Sequence, residues 1–299
     1  MSKAELLLVG AGPVGCMVAS ALVTREVQFD WFIRNPDVRK ALQGLSVRFP
    51  DHTHKPDLSG AGFPEKIPGG IHNTVITCVK SQHTEHLLAS LPLGISSRRL
   101  AIANGLINGD HHLGLLYGGA YLDGSQLVTR RSNILRVGSL GSIVDDSPWF
   151  CELLYCDWLA TEAVTGIEVL QWHKLCLNCV VNPLTALLDV PNGRIMESLQ
   201  SPLVQGLVHE LQRVAHKHLG RRWSYTEADI VMGVQQLIEA TIENSSSMRE
   251  DLRHGRQPEI SHMNGAIARL GREYGIPCPL NSSIAELVVS AAGKPRSRD

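Results

Sequence analysis

Residues 6–22 read LLLVGAGPVGCMVASAL. Four apolar residues suit a short buried strand, and the apolar residues after Gly15 recur at helical spacing. Between them lie Gly10, Gly12 and Gly15, a Gly-x-Gly-x-x-Gly turn. Such glycines allow a tight turn and let the backbone approach a pyrophosphate, which rests on the helix N-terminus. The pattern alone is weak; between a strand and a helix it is strong. Gly10, Gly12, Pro13, Val14 and Gly15 are therefore expected to bind a dinucleotide.

Working outward, short apolar runs alternate with helical stretches over the first half: VQFDWFIR, TVITCVK and RLAIAN follow the opening strand. That alternation argues for βαβ units and a parallel sheet. FPDHTHKPDLSGAGFPEKIPGG, residues 49–70, reads as loops or edge strands, and AYLDGSQLVTRRSNILRVGSLG as hairpin-forming strands turning at Asp123-Gly124. From about residue 164 the texture becomes helical. SPLVQGLVHELQRVAHKHLG predicts a helix with Ser201 as cap, Pro202 in the first turn and Gly220 at its end. TEADIVMGVQQLIEATIEN and EISHMNGAIARLGREYG predict two more. NSSIAELVVSAAG predicts another, capped by Asn281 or Ser282, and the tail GKPRSRD is expected to fray. The expected fold class is α/β: a Rossmann-type dinucleotide-binding domain over residues 1–165 and an all-helical domain over 166–299, with the active site in the cleft between them.

Composition narrows the partners. The 299 residues carry 28 basic and 29 acidic side chains with no long basic block, which argues against nucleic acid and anionic membrane surfaces. The opening MSKAELLLVGAG does not suit a secretory leader, and no run of about 18 apolar residues would span a bilayer. A soluble, cytoplasmic protein is expected. The seven cysteines are odd in number and scattered, which suits buried thiols better than a disulfide framework, and the lone pair Cys176 and Cys179 lies in a helical segment. The thirteen histidines form no HExxH or comparable set, so no metal is expected.

The end of the second strand bears on cofactor choice. Asp30 falls inside VQFDWFIR, whereas Arg34 stands at its carboxyl end. A guanidinium there suits a ribose 2′-phosphate, so NADP(H) is the expected cofactor. Lys80 follows TVITCV, and Asn104 follows LAIA before Gly105. Ligands bind outside the carboxyl ends of parallel strands, so Gly12, Arg34, Lys80 and Asn104 point to one edge.

WHKLCLNCVVNPLTALLDVPNG, residues 172–193, is apolar yet carries Lys174, Asn178, Asn182 and Asn192. The first three are spaced i, i+4, i+8, a drift of about 40° per step, and so share one helix face. Pro183 should kink or end the helix just after Asn182. Asparagine is a poor choice for an exposed helix interior, and the face reads as donors for a small polar anion.

These stretches, together with ENSSSMREDLRHGRQPEISHMNG at residues 243–265, make the whole chain resemble the ketopantoate reductase (2-dehydropantoate 2-reductase) family. The pattern W-x-K-x-x-x-N-x-x-x-N-P-L-T and the S-S-M-x-x-D stretch before a glutamate and N-G carry the resemblance. It implies NADPH-dependent reduction of 2-dehydropantoate to (R)-pantoate, on the path to pantothenate and coenzyme A. Lys174 matches the catalytic lysine that protonates the ketone oxygen, and Glu259 the catalytic glutamate that orients the substrate. Asn178, Asn182 and Ser247 match substrate-binding positions. Lys80 and Asn104 match residues near the nicotinamide and its ribose, Asn104 bordering the substrate as well. Asn192, counted with the substrate set, and Asp251 match further family positions. Because Glu259 follows Pro258, a helix-capping role is its alternative. The implied partner is a small 2-oxo acid, and a homodimer is left open.

Two departures stand out. The family usually has Gln three residues after the lysine at Lys80, where this chain has His83, with Gln82 one step earlier; and residues 110–132 match loosely. The rival readings are a same-family reductase for another 2-oxo acid and a non-catalytic NADP sensor.

Overall fold

The computed structural model describes residues 5–69, 72–91, 97–129 and 132–292. The chain divides into two compact units, Met1–Ile167 and Glu168–Asp299. The first contains β1 (Leu6–Val9), α1 (Pro13–Thr24), β2 (Phe29–Phe32), α2 (Pro36–Leu42), β3 (Ser46–Arg48), β4 (Thr53–His54), β5 (Ala61–Gly62), β6 (Thr74–Thr77) and α3 (Ser81–Ser90). It continues with β7 (Arg98–Ile102), β8 (His112–Tyr117), β9 (Ala120–Asp123), β10 (Gln126–Thr129), β11 (Asn133–Ser139), α4 (Ser147–Leu154) and β12 (Leu159–Ala163).

Among the described residues, eight strands form one sheet in the order β12-β11-β8-β7-β6-β1-β2-β5. From β5 to β8 every neighbouring pair is parallel; β11 runs antiparallel to β8 and parallel to β12. β1 and β6 are buried at every position, as expected of strands covered on both faces. Leu6, Leu8, Trp31, Ile76 and Leu100 pack into one core with Cys16, Met17 and Leu22, while Leu7, Val9 and Val75 pack on the other face with Leu91. The chain passes from β1 to β2 on one side and returns to β6 on the other. The order therefore reverses beside β1, the place where open α/β sheets bind ligands.

Among its described residues, the proline- and glycine-rich stretch yields only the short β4 and β5 and a 3-10 turn at Leu58–Gly60. The β9–β10 hairpin turns through Gly124 at φ +58° and joins β3 and β4 in a second sheet. Arg130 and Arg131 of that stretch, and the tail from Gly293, lie outside the described residues.

Helix α5 (Ile167–Leu188) opens the helical region, followed by α6 (Pro202–Leu219), α7 (Glu227–Ala240), α8 (Ser247–Arg253), α9 (Asn264–Tyr274) and α10 (Pro279–Ala292). Ser201 caps α6 by accepting from the Val204 N–H at 3.3 Å, and Thr226 and Asp229 form a capping box on α7. Two expectations are corrected and a third, that Pro183 kinks or ends its helix, is narrowed. Pro183 does not end its helix, which runs on to Leu188. The Cys179 carbonyl that the proline cannot bond is taken instead by the Asn264 side-chain amide at 2.9 Å. Neither Asn281 nor Ser282 caps α10: it starts at Pro279, and the Glu210 carboxylate from α6 accepts the Leu280 and Asn281 N–H groups, each at 2.9 Å. The stretch EISHMNGAIARLGREYG is not one helix but a 3-10 turn, Ile260–His262, followed by α9, with the break at Met263. Among the described residues no helix is long and apolar enough to cross a membrane.

Candidate active site

The glycine turn shows a division of labour. Gly10 has φ +118°, a conformation open to glycine, and a Cβ there would run into the Cys78 carbonyl at the end of β6. Trp31 of β2 donates its indole N–H to the Gly10 carbonyl at 2.8 Å, fixing the turn against the sheet. A Cβ on Gly15 would overlap the same carbonyl, so α1 can lie close to the turn only with glycine there. Gly12 differs: among the described residues, a Cβ on it would meet no atom within 4 Å beyond its chain neighbours. It is the N-cap residue of α1, with no side-chain cap and with Pro13 next in line. Val14 packs onto the core. An unshielded helix N-terminus with open space over its cap residue fits a pyrophosphate.

The strand ends align. Val9 is in register with Phe32 and Thr77, and Thr77 with Ala101. Arg34, exposed, lies two residues beyond β2; Lys80, partly buried, is the N-cap residue of α3; and Asn104, partly buried, lies two residues beyond β7. Gly105 follows at φ +80° and turns the chain away. The four predicted groups thus share one sheet edge. Asp30 does not: mid-strand, it lies beside Gly62 of β5, with His72 at 3.9 Å. Of the two residues at the family's glutamine position, His83 is exposed and Gln82 partly buried.

In the second unit, Leu175, Cys176, Cys179 and Val180 of α5 are buried in apolar surroundings, and the described cysteines are all buried free thiols. Lys174, Asn178 and Asn182 occupy another face of α5. Desolvation lowers the Lys174 ammonium from its ordinary 10.5 to about 8, while the nearby Glu259 carboxylate opposes that fall. Asn182 is 8% exposed, yet neither its amide nor that of Asn178 has a hydrogen-bond partner among the described residues. Neither amide is among the fully buried polar atoms that lack a partner, so both keep contact with solvent and are open to a polar ligand.

Glu259 is 9% exposed and directly precedes the 3-10 turn, but its side chain does not cap it. Its carboxylate lies close enough to Lys174 to favour the charged ammonium. Ser247 is exposed at the first position of α8; the buried Ser246 is the cap, accepting from the Arg249 N–H at 3.2 Å and lying 2.7 Å from Thr185 Oγ1 of α5. Asn192 is tied into the scaffold: its amide donates to Thr241 Oγ1 at 2.9 Å and its N–H to the Asn244 carbonyl at 3.0 Å. Asp251 accepts from Arg256 Nε at 3.0 Å. Asp189, just beyond α5 at φ +54°, accepts from Arg249 and Arg253 at 2.8 and 2.7 Å and fastens α8 to α5. Sequence reasoning missed Ser246, Glu210 and Asn264, and gave Asn281 the part of a cap where it bonds Asn264 and Glu210. Only Pro183, which must orphan the carbonyl four residues earlier, offered a clue.

Residues 167–291 match the family model described as "Ketopantoate reductase PanE/ApbA C terminal". A 2-dehydropantoate 2-reductase of Archaeoglobus fulgidus is 31% identical over 173 residues, covering 58% of this chain and 57% of that protein. The matched region thus spans little more than half of this relative. A PanE/ApbA family ketopantoate reductase from Ralstonia eutropha superposes with a TM-score of 0.80 at 23% identity, over 96% of this chain and 98% of its own. D-Mandelate dehydrogenase, solved with NADH and anilino(oxo)acetate, superposes at 0.81 with 19% identity over the same shares. The two superpositions concern the fold.

Proposed function

We propose that this chain, whose residues 167–291 match the ketopantoate reductase C-terminal family model and which is similar to a 2-dehydropantoate 2-reductase, reduces 2-dehydropantoate to (R)-pantoate with NADPH. The observation that carries the reading is the Lys174 ammonium, desolvated to about 8 beside Glu259, on the helix face that also holds the side chains of Asn178 and Asn182. The glycine turn and the aligned strand ends fit a dinucleotide: Gly12 and the α1 N-terminus would take its pyrophosphate, Arg34 its 2′-phosphate, and Lys80 and Asn104 its nicotinamide end.

NADPH, when bound, supplies the hydride that adds to C2 of the 2-oxo acid. As the carbonyl π bond breaks, its electron pair gathers on the oxygen. Lys174 stabilises that charge and gives the oxygen a proton, and the resulting amine regains one from solvent. Glu259 holds the ammonium in its charged form and orients the substrate hydroxyl. Asn178, Asn182 and Ser247 hold the carboxylate and hydroxyl by donated hydrogen bonds. The reading is tested by NADPH consumption with ketopantoate beside a panel of related 2-oxo acids. Oxidation with other acids and never with ketopantoate would overturn it.

Two further results are expected. The proton donor is the charged form of Lys174, present below its pKa and lost above it. Turnover in the reducing direction should be level at neutral pH and fall about tenfold per pH unit above about 8. A rate profile from pH 6 to 10 checks this, and turnover unchanged to pH 10 would count against the assigned acid. Arg34→Ala should weaken NADPH by about 10- to 100-fold while changing NADH little, because only NADPH carries the 2′-phosphate. Equal losses in titrations of the two cofactors would reject that role.

A second reading, the same chemistry on another 2-oxo acid, draws on the mandelate dehydrogenase likeness. The panel separates the two.

A further inference from the structure

The structure assigns Asn264 as a positioning residue for the Asn178–Asn182 face of α5, acting through the Cys179 carbonyl. The inference rests on the reading of that face as the 2-oxo acid site. Pro183 has no N–H, and its ring crowds the carbonyl four residues earlier. Left unbonded inside a packed helix, that carbonyl would be costly. Asn264 Nδ2 reaches it at 2.9 Å from the first residue of α9 and also donates to Asn281 Oδ1 at 2.9 Å. Asn281 Nδ2 donates in turn to Glu210 Oε2 at 2.8 Å. Asn264 and Asn281 are 0% exposed and Glu210 5%. The Asn264 Oδ1 is itself buried and has no partner among the described residues. The residue therefore serves here as a double donor, held in one orientation by acceptors on two helices.

The position of the missing bond gives this network its role. Cys179 and Pro183 directly follow Asn178 and Asn182, so the deleted helical hydrogen bond lies within the turn that spaces the two amides. The proline ring and the Asn264 donor together set the pitch of that turn. Lys174 lies a full turn before the break. Losing the Asn264 donor should therefore disturb substrate holding more than proton donation, and leave the dinucleotide turn of the other unit untouched.

Asn264→Ala in the full chain should raise the KM for ketopantoate about tenfold, with kcat and the NADPH Kd within about twofold of the parent. Pro183→Ala restores an N–H four residues after Cys179 and makes the Asn264 donor redundant. Pro183→Ala alone should stay within about threefold of the parent KM, and Pro183→Ala/Asn264→Ala should return to that range. Hydrogen exchange gives a readout independent of turnover: Asn264→Ala should speed exchange of the α5 amides around residues 179–186, and the double variant should restore protection. An unchanged KM in Asn264→Ala, or equal impairment of the single and double variants, would overturn the assignment. If Asn264→Ala does not fold, a folded double variant with near-parent KM supports the assignment, and an unfolded one overturns it. Should the parent reduce no 2-oxo acid, the functional reading fails, and exchange protection still decides whether Asn264 holds α5.

Discussion

Lys174→Ala should lower kcat for NADPH-dependent ketopantoate reduction by about 10³-fold, while the NADPH Kd stays within about twofold. Positioned acids contribute about 10²–10⁴ in rate, and a charge aimed at a developing oxyanion contributes comparably. Lys174 would supply both through one group. Its ammonium is partly desolvated, which strengthens its action on a neighbouring charge and brings its pKa to about 8, close to the working pH. Dinucleotide binding should survive because the glycine turn and strand ends belong to the other unit. Stopped-flow turnover and a fluorescence titration of NADPH check the two halves of the expectation. Parent-like turnover in the variant would remove Lys174 from the chemistry; a parallel loss of NADPH binding would assign it to the cofactor.

The second large effect separates two glycines three residues apart. Gly12→Val should abolish measurable NADPH binding, a loss of about 100-fold or more, with the melting temperature within about 2 °C of the parent. Among the described residues no atom beyond its chain neighbours lies within 4 Å of the Cβ position, and the backbone there, at φ −74° and ψ 178°, suits valine. The added methyls would fill the space that a pyrophosphate needs. Gly15→Val should act on stability instead. Its Cβ would overlap the Gly10 carbonyl, which Trp31 holds from the other side, so α1 or the turn must shift. A cost of about 2–4 kcal/mol is expected. Calorimetry and cofactor titration on both variants read the contrast. NADPH binding at parent affinity by Gly12→Val would contradict the dinucleotide assignment.

The fold was legible where local chemistry is autonomous. LLLV followed by three spaced glycines specifies a buried strand, a tight turn and a helix through residues within one short stretch. Ser201-Pro202 announces its helix for the same reason. The strand-end residues Arg34, Lys80 and Asn104 could be placed because a parallel sheet brings its carboxyl ends together whatever the intervening loops do. What escaped depends on partners distant in sequence. Pro183 predicts a helix end only if nothing replaces its lost bond, and the replacement comes from Asn264, 85 residues on. Asn281 resembles a cap until Glu210, 71 residues earlier, takes that part. At the site, the spacing of Lys174, Asn178 and Asn182 showed a shared face. It could not show that burial brings Lys174 to about 8, nor that Ser246 rather than Ser247 caps α8.

Isotope transfer tests most directly whether this chain joins a dinucleotide to a 2-oxo acid. NADPH deuterated at the transferable C4 position is mixed with ketopantoate and the purified protein, and the product is read by NMR and mass spectrometry. One deuterium on C2 of pantoate for each NADPH consumed is the predicted result. NADPH that binds yet remains unoxidised with ketopantoate and every related 2-oxo acid would contradict the account and leave a dinucleotide sensor in its place.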